Sequence, residues 1–186
     1  MDEFDPLVIR AMARWPNVPA VAGWLRLDRR GGWHLIDRGR PDFDPVRDAA
    51  GSPITSPPII DFIARNYGSD DMGRWFWQNG PQRVYVSLDC APWVLRVLGV
   101  GGAARIITHT GHPFGEILSA AIGPEHEILL VSARGCGVIH DLDAMALSLE
   151  ASETGLVTLL HADRAWPLRP CASPQRTFGF IGHPSC

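Results

Sequence analysis

Gly73-Arg74-Trp75-Phe76-Trp77-Gln78-Asn79-Gly80-Pro81-Gln82-Arg83-Val84-Tyr85-Val86-Ser87-Leu88 is the stretch that decides the fold. Two runs rich in aromatic and β-branched residues flank the pair Asn79-Gly80. Both residues of this pair tolerate the positive φ that a tight turn between antiparallel strands requires. The stretch therefore predicts a β-hairpin, and the rest of the chain is expected to pack around it.

The loop of this hairpin sets which residues face each other. Pro81 has no N–H, so a two-residue turn closed by Gln78 and Pro81 would lack one hydrogen bond, and we expect a wider, four-residue loop. The facing pairs expected from either loop are Trp77 with Gln82, Phe76 with Arg83, Trp75 with Val84, and Arg74 with Tyr85. Because side chains alternate along a strand, one face should carry Trp75, Trp77, Val84, Val86 and Leu88.

The opposite face should carry Arg74, Phe76, Arg83 and Tyr85, which we call the hairpin cluster. Arginines beside aromatic rings form either a cation–π stack that holds the sheet surface together or a shallow platform that binds an anion. The cluster is therefore the predicted ligand-binding set. Asp70 and Asp71 precede it, where aspartate commonly accepts hydrogen bonds from turn amides.

Composition limits the classes of function. The 186 residues, 46% hydrophobic and 20% charged, predict a globular protein with a proper core. A net charge of −3 argues against nucleic-acid binding, and the absence of lysine excludes a Schiff base or a P-loop lysine. The acidic amino terminus and the lack of an apolar run of about 20 residues predict a cytoplasmic protein without a membrane span. The four cysteines are scattered, and no cofactor is predicted.

The order of segments predicts an α+β fold of two small β-rich units, residues 1–98 and 103–186, meeting at the glycines of 99–102. Hairpins are expected at 24–37, 73–88 and 128–140, with short helices at 5–14, 57–67 and 142–149. Residues 38–58, rich in proline, are either a mobile lid or an irregular loop that crosses one side of the sheet.

Three segments carry a resemblance to a known family. They are Trp24-Leu25-Arg26-Leu27-Asp28 with Gly32-Trp33, then Ile60-Asp61-Phe62-Ile63, then Gly73 to Val86. In these the chain resembles a family of uncharacterised proteobacterial proteins known only as a domain of unknown function. It is similar, more distantly, to a second bacterial family of unknown function with two small α+β units. That resemblance implies one unit like a pleckstrin-homology barrel and a signalling role, and it supplies no catalytic residue.

Histidines provide the main candidate for chemistry. His109 and His112 lie three residues apart and could share a metal ion with His140, with Asp141 and Asp143 nearby. The alternative is that they are turn histidines bonded to backbone or exposed, since the motif lacks the helix and glutamate of a metalloprotease. Cys136, between two glycines, is either a nucleophilic thiol or a small apolar residue in a turn.

The sequence thus favours a non-catalytic binding or regulatory module for an anionic small molecule or a protein partner segment. No catalytic residue is predicted, and the oligomeric state stays open. The alternative is a metal-dependent enzyme that uses His109, His112 and His140. A third possibility is a sheet edge that accepts a strand from a partner.

Overall fold

A computed structural model describes residues 4–101, 104–153 and 155–185. The chain divides into two compact units. The first unit comprises Met1–Asp28, Gly32–Cys90 and Phe180–Cys186, and the second comprises Arg29–Gly31 and Ala91–Gly179. The boundaries predicted from the sequence were 1–98 and 103–186, and residues 102 and 103 at that joint lie outside the described residues.

The first unit is a mixed six-stranded sheet with two helices. Its elements are α1 (Pro6–Arg14), β1 (Val21–Leu27), β2 (Trp33–Leu35), β3 (Ser52–Pro53), α2 (Pro57–Arg65), β4 (Tyr67–Ser69), β5 (Trp75–Asn79) and β6 (Gln82–Leu88). The strand order is β3-β2-β1-β6-β5-β4, with β1 and β6 parallel and the other neighbours antiparallel. The predicted helix at 5–14 is confirmed, and the carboxylate of Asp5 caps it by accepting from the N–H of Leu7 at 3.0 Å.

Strands β5 and β6 form the predicted hairpin, but the predicted loop and facing pairs are wrong. Asn79 faces Gln82 across a two-residue loop, so Phe76 faces Tyr85 and Trp77 faces Val84. Gly80 takes a φ of +56°, and Pro81 occupies the second loop position, where the strand ladder requires no N–H. The true register differs from the predicted one by two residues, so the side chains keep their predicted faces.

The face that carries Trp75, Val84 and Val86 is the core of the first unit, and all three side chains are buried. Helix α2 lies against this face, where Phe62 meets Trp77 edge to face with the ring centroids 5.8 Å apart. Fully burying an aliphatic side chain of this size contributes about 1.5–3 kcal/mol, so burial at this face contributes substantially to the stability of the unit.

Two chain segments cover the other face. Residues 38–51, which we call the covering loop, run between β2 and β3. Near the carboxyl end, Ile181 donates its N–H to the carbonyl of Gly73 at 2.9 Å, and Leu88 donates its N–H to the carbonyl of Gly182 at 2.7 Å. Of the two alternatives for residues 38–58, the structure shows the irregular loop that crosses one side of the sheet.

The second unit holds the remaining strands. They are β7 (Trp93–Leu98), β8 (Arg105–Thr108), β9 (Ser119–Ile122), β10 (Ile128–Ser132), β11 (Gly135–Ile139), β12 (Ser148–Ala151), β13 (Val157–His161), β14 (Arg164–Pro167) and β15 (Arg169–Pro170), followed by α3 (Pro174–Phe178). One sheet has the order β15-β9-β10-β11-β7-β8, and a second has the order β12-β13-β14. The helix predicted at 142–149 is wrong, because Asp141–Ala146 is a 3₁₀ helix and β12 follows it.

The α+β class with few short helices is confirmed. The barrel that the resemblance implied is not, because the sheets built from the described residues are open, each with two edge strands. In the part of the chain that the structure describes, no helix is long and apolar enough to cross a membrane.

Candidate functional site

The structure brings together the four residues of the hairpin cluster. The guanidinium carbon of Arg74 lies 4.5 Å from the ring centroid of Tyr85, and that of Arg83 lies 3.9 Å from the ring centroid of Phe76. The two rings are only 4% and 3% exposed, so the arginines cover aromatics that belong to the interior. The cluster is therefore a cation–π stack, one of its two predicted forms.

Asp70 neutralises the charge of Arg74, one of the two arginines of this cluster. One carboxylate oxygen accepts the backbone N–H of Arg74 at 3.0 Å, and the other accepts Nε of Arg74 at 2.9 Å and the hydroxyl of Tyr85 at 3.2 Å. Burial alone would raise the pKa of Asp70, but these hydrogen bonds and the Arg74 charge outweigh it, and the pKa of Asp70 lies below its ordinary value. The predicted turn-amide role of Asp70 is confirmed.

Arg83 is the less compensated arginine of the cluster. Its Nη1 lies 3.8 Å from the carboxylate of Asp70. Within the described part of the chain the guanidinium of Arg83 makes no hydrogen bond. Its side chain is about one-third exposed. Ligand binding by Arg74, Phe76, Arg83 and Tyr85 therefore stays a prediction, with Arg83 as the member able to donate.

The predicted metal site does not form. Nδ1 of His109 accepts the backbone N–H of Val94 at 3.2 Å, and Nδ1 of buried His140 accepts the N–H of Leu142 at 3.2 Å. Among residues 4–101, 104–153 and 155–185, no three His, Cys, Asp or Glu side chains lie close enough together to hold a metal ion. Of the two alternatives for these histidines, the rings of His109 and His140 therefore fit turn histidines bonded to backbone rather than ligands of a shared metal ion. Cys136 is 1% exposed in β11, which fits its alternative as a small apolar residue.

The first unit contains a cavity of about 340 Å³, lined in part by the covering loop, that no sequence motif predicts. Its lining comes from the sheet, the covering loop and the carboxyl-terminal segment: Gly23, Arg26, Ile36, Arg38, Phe43, Pro45, Ala49, Ser87, Asp89 and His183. We call it the loop pocket. Its volume lies within the range of small-molecule sites.

An ion pair forms the floor of the loop pocket. Nε of Arg26 donates to one oxygen of Asp89 at 2.7 Å, and Nη2 donates to the other at 2.5 Å. The remaining terminal nitrogen of Arg26 donates to the carbonyl of Ala50 at 2.8 Å, which fastens the covering loop to β1. This bidentate geometry pairs the charge of Arg26 fully within the protein.

A β-bulge places Arg38 over the sheet. The pairing of β1 with β6 shifts register between Ala22 and Leu25, and Gly23 within the bulge has a φ of +77°. A Cβ at Gly23 would lie 2.6 Å from Nη1 of Arg38, which itself donates to the carbonyl of Ala22 at 3.0 Å. Only glycine permits both the backbone conformation and this close approach. Gly23, directly before the hairpin predicted at 24–37, is the sequence signal that could have indicated the bulge.

Cross-links within the covering loop hold the wall of the pocket. Asp48 accepts from Arg47 Nη2 at 2.7 Å, from Arg40 Nη2 at 3.0 Å and from the N–H of Asp44 at 3.0 Å. The hydrogen bond from Arg47 contributes most to a pKa of Asp48 that lies far below its ordinary value. The loop therefore has a defined conformation of its own, as compact surface loops with functional roles commonly do.

Comparisons with known proteins support the fold. The chain is similar to the crystal structure of a DUF1285 family protein from Silicibacter pomeroyi DSS-3, with a TM-score of 0.52 and 20% identity over 89% of this chain and 96% of that one. A second structure, of a DUF1285 family protein from Shewanella baltica OS155, has a TM-score of 0.40 and 13% identity over 66% of this chain and 87% of that one.

No curated protein matches the chain significantly. The distant similarity to a second family of unknown function, expected from the sequence, is confirmed by the similarity to the DUF1285 family structure from Silicibacter pomeroyi. The sequence pattern of the family DUF2944 matches residues 1–185. The description attached to this family reads "Protein of unknown function (DUF2946)". The chain therefore belongs to this family of proteins of unknown function, DUF2944.

Proposed function

We propose that the protein is a non-catalytic binding module for a small anionic molecule and that the loop pocket of the first unit is its site. The observation that carries the proposal is the state of Arg38. One of its N–H groups fixes it to the carbonyl of Ala22, and its guanidinium carbon lies 5.9 Å from the ring centroid of Phe43. Within the described residues its side chain makes no other hydrogen bond and no ion pair.

The charge balance of the pocket supports the same proposal. Arg26 and Asp89 cancel each other in a bidentate pair, so Arg38 contributes one uncompensated positive charge. His183 and Ser87 line the same cavity and can each donate one hydrogen bond to an anion. A fixed guanidinium with free N–H groups beside a concave surface is a suitable receptor for a carboxylate or a phosphate.

The hairpin cluster supports a second location for the same function. Arg83 is stacked on buried Phe76 and has donors to spare. Its surroundings are less favourable, because Asp70 repels an anion at this face and already engages Arg74. We therefore rank the loop pocket first.

Thermal unfolding with inorganic phosphate, citrate and benzoate at constant ionic strength tests both locations. At least one of the three should raise the melting temperature of the wild-type protein. The Arg38→Gln variant should lose this rise. The Arg83→Gln variant, which removes an arginine of the hairpin cluster, should keep it. Loss in Arg83→Gln alone would assign the anion to the hairpin cluster instead, and no rise with any anion would overturn the proposal.

A further inference from the structure

We infer that the loop pocket selects a monocarboxylate with a compact apolar body, for which benzoate is a representative. The inference rests on the proposed function and narrows its ligand to one chemical class. Two independent features of the lining lead to it: the number of uncompensated charges, and the division of the wall into a polar and an apolar side.

The first feature limits the ligand to one negative charge. Arg38 is the one lining arginine whose charge has no carboxylate partner among the described residues, since the other lining arginine, Arg26, donates from Nε and Nη2 to the two oxygens of Asp89. A second negative charge on the ligand would lie in the same cavity as the carboxylate of Asp89, which is four-fifths buried. Like charges in a partly desolvated site repel each other, so a dianion is disfavoured relative to a monoanion.

The second feature requires an apolar body. The covering loop contributes Phe43, Pro45 and Ala49 to the lining, and buried Ile36 adds a further apolar side chain. Arg40 and Arg47 of the covering loop are engaged by Asp48, so Arg38 is the one charged side chain of that loop among the lining residues, and its guanidinium carbon lies 5.9 Å from the ring centroid of Phe43. An anion with no apolar part, such as phosphate, or with only a methyl group, such as acetate, would leave most of this side of the pocket in contact with water.

The geometry therefore defines a ligand with its carboxylate on the fork of Arg38 and its apolar part against Phe43. Arginine binds a carboxylate through two parallel N–H groups, and Arg38 retains enough of them after its bond to Ala22. Ser87 and His183 then fix the orientation of the carboxylate rather than its affinity.

Isothermal titration of the full chain with benzoate, acetate, phthalate, inorganic phosphate and benzyl alcohol tests the inference. Benzoate should bind about tenfold or more tightly than acetate, because only benzoate buries apolar surface. Phthalate and phosphate should bind more weakly than benzoate, and benzyl alcohol should not bind. Phe43→Ala should weaken benzoate about five- to tenfold and leave acetate unchanged, while Val46→Ala, in the same loop with a side chain 88% exposed, is the matched control and should change neither.

The possible failures are distinguishable. If phosphate or phthalate binds more tightly than benzoate and Arg38→Gln abolishes that binding, the ligand class is wrong and the proposed function stands. If Phe43→Ala and Val46→Ala behave alike with benzoate, the apolar wall plays no part and the inference is overturned. If none of the five compounds binds, the proposed function falls together with the inference.

Discussion

Replacing Asp70 by asparagine should destabilise the first unit by about 2 kcal/mol at neutral pH. Asparagine has nearly the same shape and retains one oxygen for the backbone N–H of Arg74. It places an amide N–H₂ where the second oxygen accepts Nε of Arg74 at 2.9 Å and the hydroxyl of Tyr85 at 3.2 Å. Two charge-assisted hydrogen bonds are worth about 3 kcal/mol, and the partial exposure of Arg74 reduces this loss to about 2 kcal/mol.

The same carboxylate predicts a dependence on pH. Its pKa is lowered in the folded protein, so its contribution is complete above the unfolded value of about 3.9 and is lost as the pH falls through the lower folded value. The difference in unfolding free energy between wild type and Asp70→Asn should therefore be largest near neutral pH and shrink below about pH 4.

Urea denaturation followed by tryptophan fluorescence at several pH values measures this difference, since Trp75 and Trp77 lie in the affected sheet. The control is Asp71→Asn, because Asp71 is adjacent and exposed and should change stability by less than about 0.5 kcal/mol. The reasoning is refuted if the two variants have equal stability at neutral pH, or if the deficit of Asp70→Asn is the same at pH 3 as at pH 7.

Three further predictions concern glycines and the carboxyl-terminal segment. Gly137→Ala should destabilise the second unit by about 1–3 kcal/mol in urea denaturation, because the new Cβ would lie 2.7 Å from the side chain of fully buried Leu95. Unchanged stability would show that Leu95 can move aside without cost. Gly23→Ala should cost about 1–2 kcal/mol through its positive φ and should also displace Arg38, so any anion affinity that depends on Arg38 should fall with it; retained affinity would separate the bulge from the site. Removing the residues after Gly179 should lower the urea midpoint of the tryptophan transition, since two backbone hydrogen bonds to the sheet disappear; an unchanged midpoint would mean that the sheet does not depend on them.

The two faces of the central hairpin could be predicted from the sequence because side-chain alternation is a property of the backbone. The register could not be predicted in the same way. A turn closed by Gln78 and Pro81 begins one residue too early and places Pro81 at a position that needs an N–H. Pro81 is compatible with a two-residue loop once Asn79 and Gln82 close it. An error of two residues in register preserves the faces, so the predicted cluster survived the wrong pairing.

The segment after His140 was mispredicted for a different reason. Its apolar residues recur at helical spacing, yet Leu142 is 74% exposed and Met145 is 94% exposed, so this periodicity does not mark a buried face. Within this segment the carboxylate of Asp143 accepts Nε of Arg96 at 2.6 Å and the N–H of Val97 at 3.0 Å. Those partners lie on a strand distant in sequence, and local propensity carries no information about them.

The loop pocket shows the same limit for function. Each lining residue is ordinary in its own sequence context, and only the β-bulge at Gly23 brings Arg38 and β1 together. From the sequence alone, Arg26 could be taken for an anion-binding residue. In the structure its charge is paired with the carboxylate of Asp89. The histidines show the reverse, since their residue type suggested a metal ion, whereas the rings of His109 and His140 accept hydrogen bonds from backbone N–H groups.

The backbone bonds of Ile181 and Gly182 to the first unit impose an order on folding. The backbone hydrogen bonds of Gly73 and Leu88 to this segment cannot form until Ile181 and Gly182 have been synthesised, and all of Ala91–Gly179 is synthesised before them. Closing such a long loop is slow compared with pairing neighbouring strands. The amides of β10 and β11 should therefore gain protection before that of Leu88 in pulse-labelled hydrogen exchange, and simultaneous protection would show that the late segment only decorates a sheet that is already formed.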